Sequence, residues 1–127
     1  MTVAMDQWPR HRLEIFPLPA GGHVETYRRD DRLVVGPCAS LYLDGVEVMR
    51  FDLPETPAGQ AHCHWSGLPD KPRLFYPRHW PHDRWVELAV SNLVEHAPIA
   101  ARLAGVEPPA SADLEAAAVW MAERITL

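Results

Sequence analysis

The sequence predicts an α+β fold: an antiparallel β-sheet, built as a meander with a central hairpin at Asp44-Gly45, followed by two or three C-terminal helices packed on one face. Three observations predict it. Short alternating apolar and polar runs separated by turn residues occupy residues 1–80, the β-rich part of one domain spanning 1–127. Asp-Gly sits between two such runs, which is the strongest short hairpin signal because a type I′ turn needs φ > 0 at both central positions. Beyond residue 80 the apolar spacing changes from two to three and four, the period of a helix.

The elements follow in order. RLEIF (12–16) alternates and stops at Pro17. HVETYRR (23–29) and RLVVG (32–36) flank a turn at Asp30-Asp31. ASLYL and VEVMRF flank Asp44-Gly45, which sets Leu43 opposite Val46 and Leu41 opposite Val48, with Tyr42, Met49 and Phe51 on the other face. Both faces of this hairpin then read as apolar, so it is expected to be central and covered on both sides. QAHCHW (60–65) and RLFY (73–76) are further strands. Prolines at 69, 72, 77 and 81 lead into HDRWVELAVSNLVEH (82–96), a helix with Trp85, Leu88, Ala89 and Leu93 on one face and Asp83 in its first turn. Pro98 is expected to end or kink it, with a short helix to Gly105 beyond. Ser111 is placed to cap a last helix, 112–125, in which Leu114, Ala118, Met121 and Ile125 form a stripe.

Composition bounds the function. At 127 residues, 47% hydrophobic and 23% charged, the chain can bury a core without staples. No apolar run approaches the roughly 18 residues of a membrane helix. The N-terminus reads as no secretory signal, so the expected location is cytoplasmic, with no membrane partner. Cys38 and Cys63 are too few for a disulfide framework and are expected as thiols. A net charge of −5 makes nucleic acid a poor partner. Between His62 and Trp85, however, four basic residues face two acidic ones, and four of the seven histidines lie there. A locally basic, His-rich surface suits a small anionic ligand.

The site is expected at GQAHCHWSG (59–67). Residues two apart on a strand point the same way, so His62 and His64 project together and Cys63 opposes them. That leaves Cys63 badly placed as a nucleophile. Two imidazoles on one strand face suit a divalent transition metal, Zn, Fe, Cu or Ni. His82 is the favoured third ligand and His79 the next, both from RHWPHD. A second reading keeps the histidines without metal, as a general acid and base. Asp52 then orients one ring, and Arg50 stabilises a developing anion. In KPRLFYPRHWPHDRW (71–85), Phe75 and Trp85 fall at core positions, while Tyr76, Arg78 and Trp80 are the pocket candidates.

The stretch from Arg50, Phe51 and Asp52 through Gly59 to His62 and His64 resembles a pattern in small bacterial toxins of the TumE type, and in other bacterial domains with an H-x-H strand. The resemblance covers about a seventh of the chain. It implies a β-meander followed by a helix, and a nuclease-like toxin activity at the same histidines. Leu53 stands where those toxins tend to carry Asn. The stretch also resembles part of the first cupin motif, without its glutamate. The expected function is a His-centred site that binds and transforms a small polar or anionic ligand by metal or acid/base chemistry. The alternatives are a toxin of a toxin–antitoxin pair, or an antitoxin or assembly subunit that forms a homodimer through the stripe on the last helix.

Overall fold

The computed structural model describes residues 4–55 and 59–127. Six strands form one antiparallel sheet in chain order: β1 (His11–Pro17), β2 (His23–Asp30), β3 (Val35–Leu43), β4 (Val46–Asp52), β5 (His62–Trp65) and β6 (Leu74–Phe75). Two helices follow, α1 (His82–Leu103) and α2 (Ser111–Ile125). They pack on each other and on one face of the sheet, α1 against β4 and α2 against β2 and β3. This is the α+β arrangement that the periodicities predict.

The Asp44-Gly45 turn has φ of 51° and 74°, positive at both centres as a type I′ turn requires. The register beyond it departs from simple alternation. Leu43 faces Val46, but Tyr42 faces Glu47 and Leu41 faces Met49. Val48 is the extra residue of a β-bulge and joins Met49 in the core. The expected pairing of Leu41 with Val48 is therefore corrected, and Met49 and Phe51 share the helix-covered face with Leu41. The bulge also returns Glu47 to the side of Arg50 and Asp52. The second face is thus polar yet buried, not apolar as expected: Glu47, Asp52 and Arg29 are 0%, 0% and 3% exposed.

The N-terminal segment lies across this polar face. The Met5 backbone N–H donates to Glu47 Oε1 at 2.7 Å, and Arg10 donates to Glu25, Ser40 and Glu47 at 3.2, 3.3 and 3.0 Å. The Trp8 ring lies under the Arg29 and Arg32 guanidinium groups.

Three local expectations change. RLVVG and ASLYL are not separate strands, because β3 runs through Pro37 from Val35. The helix at 82 runs through Pro98 to Leu103, so there are two helices. Ser111 is the first helical residue of α2, not its cap, and the cap position is Ala110. The Leu114–Ala118–Met121–Ile125 stripe is packed inside the chain's own core, which removes it as a dimer seam. No helix among the described residues is long and apolar enough to cross a membrane.

Candidate metal centre

Strand register builds the site. β4 and β5 pair with Asp52 opposite His62 and Arg50 opposite His64. Each pair is two apart on its strand, so all four side chains share the polar face, while Cys63 opposes Phe51 in the core. Asp52, His62 and His64 are buried and each offers a ligand atom, these atoms lying within 4.8 Å of one another. His62 Nε2 stands 3.1 Å and His64 Nε2 3.5 Å from Asp52 Oδ2. The three can hold a metal ion.

The backbone fixes both rings. His62 Nδ1 donates to the Gln60 carbonyl at 2.8 Å, and His64 Nδ1 to the Lys71 carbonyl at 3.4 Å. A carbonyl only accepts, so each Nδ1 carries a hydrogen and each ring turns its Nε2 toward Asp52. Two ring nitrogens gathered on one buried carboxylate oxygen need positive charge among them, from a metal ion or from a proton on Nε2. His64 Nε2 and Asp52 Oδ1 are buried with no hydrogen-bond partner. Such carbonyl-anchored imidazoles are the usual support of a metal ligand.

The surroundings tune the charge. Arg50 Nε donates to Asp52 Oδ2 at 3.1 Å, and Arg29 Nη1 lies 3.7 Å from Asp52 Oδ1. Asp6 from the N-terminal segment pairs with both arginines, and Asp31 takes Arg29 Nε at 2.8 Å. Burial acts to raise the Asp52 carboxyl, but His62, His64 and Arg50 together outweigh it and hold the group well below the ordinary carboxylate range. Three carboxylates against two guanidinium groups leave −1 around the rings, which favours a cation there.

The centre opens into a cleft of about 490 Å³. Five arginines (Arg29, Arg32, Arg50, Arg73, Arg78) and two carboxylates (Asp6, Asp52) line it, a balance of +3, five minus two, in a chain of net −5. No family model, curated protein or solved structure matches the chain. The reading of the site therefore rests on its own geometry.

The structure sorts the sequence candidates. It brings His62, His64, Arg50 and Asp52 together and puts Arg78 at the cleft wall, donating to Gln60 Oε1 at 3.1 Å. It does not bring His82 or His79, and the third ligand is Asp52 instead. His82 Nε2 donates to the Ile125 carbonyl at 2.8 Å, tying the start of α1 to the end of α2, and His79 lines a separate hollow beside it. Tyr76 faces the core, its hydroxyl accepting from Asn92 at 2.6 Å, because β6 turns Leu74 and Tyr76 inward. Trp80 lies outside the cleft under Arg84. Phe75, expected in the core, is 57% exposed and lines the cleft, while Trp85 is buried as expected. Sequence reasoning missed Asp6, Trp8 and Arg29. The one signal for Arg29 is its phase in β2, two residues from Tyr27 on the polar face.

Proposed function

We propose that this protein binds a divalent transition metal through Asp52, His62 and His64 and uses it to engage a small anionic ligand in the arginine-lined cleft. The observation that carries the reading is the convergence of two carbonyl-anchored imidazoles on one buried carboxylate, with His64 Nε2 and Asp52 Oδ1 left without hydrogen-bond partners. A set of two imidazoles and one carboxylate leaves coordination positions open, and such sets suit Zn or non-haem Fe. A metal held by these three residues would supply Lewis-acid chemistry. The chain's own residues do the rest. Arg50 and Arg29 hold the Asp52 carboxylate ionised and oriented, the Gln60 and Lys71 carbonyls hold the rings, and the remaining arginines attract the anion.

Arg50 donating to the same Asp52 oxygen that both rings face favours a second reading. A proton on one Nε2 meets the same need for positive charge, and the pair then works as a general acid and base. Elemental analysis of protein purified without a His tag decides between them. About one metal ion per chain is expected, lost in Asp52→Asn and His64→Ala. Absence of metal, with no uptake on titration by Zn or Fe(II), overturns the metal reading and leaves the acid–base one.

A further inference from the structure

We propose that the ligand of this cleft is a nucleoside phosphate, its phosphate on Arg73 and Arg78 and its base against Phe75. This rests on the anion-binding part of the reading above and not on the metal.

Charge pairing separates the arginines into two groups. Arg29 and Arg50 are committed to Asp6, Asp31 and Asp52. Arg32, Arg73 and Arg78 pair with no carboxylate among the described residues. Arg78 donates only to the Gln60 side chain, and Arg32 stands over the Trp8 ring at 5.9 Å. Three uncommitted guanidinium groups around one cleft, in an acidic chain, repel one another until an anion joins them. Arginine forks match phosphate oxygens two at a time.

The aromatic feature is independent of the charge. On β6, Leu74 takes the inward position, and Phe75 opposes His62 on the polar side. The Phe75 ring lies edge-on to His62, with centroids 5.9 Å apart and planes at 68°. Its exposed side faces the cleft that Leu33, itself 52% exposed, and Trp8 also line. An exposed phenyl ring beside free guanidinium groups is a surface on which a flat ring stacks. A metal alone uses none of these residues, and a simple phosphate or carboxylate uses only the arginines. A long polyanion is disfavoured by the net charge of −5. The cleft falls in the range of roughly 300–1,000 Å³ usual for small-ligand sites.

The test is calorimetric titration of the full, untagged chain with AMP, ribose 5-phosphate, adenosine and a single-stranded pentaribonucleotide, each with and without EDTA. AMP should bind roughly tenfold or more tighter than ribose 5-phosphate or adenosine. Phe75→Ala should bring AMP to the ribose 5-phosphate level. Arg73→Ala with Arg78→Ala should weaken both phosphates roughly tenfold or more, with the Lys pair retaining part of the affinity. All three substituted chains should keep the far-UV spectrum and metal content of the parent, since these side chains are exposed. Equal binding of AMP and ribose 5-phosphate, unchanged AMP binding in the double Ala variant, or tighter binding of the pentanucleotide than of AMP overturns the proposal. A chain that neither carries metal as purified nor takes it up on titration, yet prefers AMP, ends the metal reading alone. A metal-loaded chain with no AMP preference ends this one alone.

Discussion

Asp52 and His62 face each other across β4 and β5, and His62 Nε2 stands 3.1 Å from Asp52 Oδ2. The carboxylate is also what the buried Arg50 and Arg29 guanidinium groups share. Asp52→Asn keeps the shape and removes the charge. It should abolish stoichiometric metal and leave two buried cations short of an anion. Breaking such a buried pair costs about 3–5 kcal/mol. Urea unfolding should read the loss. A midpoint equal to that of the parent would mean that the arginines are neutralised by Asp6 and Asp31 alone.

Glu47 anchors the N-terminal segment. It is fully buried, takes the Met5 N–H and the Arg10 guanidinium, and accepts from the Ser40 hydroxyl. Glu47→Ala should therefore release residues 4–10 from the polar face and destabilise the fold by about 3 kcal/mol. Limited proteolysis should cut within that segment in the variant faster than in the parent. Equal cutting rates would show that Asp6 on Arg50 and Arg29 suffices to hold it.

Much of the site was legible because its residues repeat at strand spacing. Arg50 and Asp52, then His62 and His64, are each two apart, so register alone places them on one face. The bulge at Val48 was not legible, since nothing in VEVMRF distinguishes an extra residue from plain alternation; the error moved Met49 and Phe51 to the wrong face. The N-terminal segment was hidden for another reason. Asp6, Trp8 and Arg10 lie in a stretch without periodicity, and their partners are far off in sequence, Arg29 and Arg32 about twenty residues from Trp8, Glu47 and Arg50 about forty from Arg10 and Asp6. His82 was misassigned because a histidine beside an aspartate at a helix start reads alike whether it binds metal or a backbone carbonyl. Phe75 was misread because exposure of a ring on a two-residue edge strand depends on which neighbour, Leu74 or Phe75, turns inward.

The two thiols should be inert. Cys38 and Cys63 are free and buried. Burial, reinforced by the nearby Asp52 charge, raises the Cys38 thiol well above its usual value; burial pushes Cys63 up to about 12. Thiolate is the reactive form, so native protein should give almost no colour with a disulfide reagent at pH 8, and two equivalents after unfolding in guanidinium. Rapid labelling of one native thiol would contradict the depth assigned to it.

Asp31 gives the fold a definite acid dependence. Burial tends to raise its carboxyl, but Arg29 and the N–H groups of Val34 and Leu33 outweigh it, so the folded value lies below the ordinary one. A depressed carboxylate stabilises fully above its unfolded value, about 3.9, and that contribution is lost as the pH falls through the folded value. Asp31→Asn should thus be less stable than the parent at pH 6, with the gap narrowing at a pH below the ordinary carboxylate value. Unfolding free energies at the two pH values measure this, and a gap that persists in acid would assign the loss to the turn's geometry.

Gly67 couples the site to the helices. It follows Trp65 and Ser66, and a Cβ built there would meet the Leu103 carbonyl carbon at 2.5 Å and the Ala104 nitrogen at 2.6 Å. These are backbone atoms at the end of α1, and they cannot step aside as a flexible side chain can. The glycine thus lets the loop after β5 lie directly on the helix C-terminus, which fixes the end of the strand that carries both histidines. Gly67→Ala should push loop and helix apart and destabilise by about 1–3 kcal/mol, the usual range for overpacking. Displacement of the loop should also slacken the Lys71 carbonyl that holds His64. Metal affinity should then fall by roughly 10–100-fold, as when such an anchoring contact is lost. Thermal melts and competitive chelator titration read the two effects separately. A variant that is destabilised yet holds metal as tightly as the parent would show that the His64 ring is positioned by β4 and β5 alone.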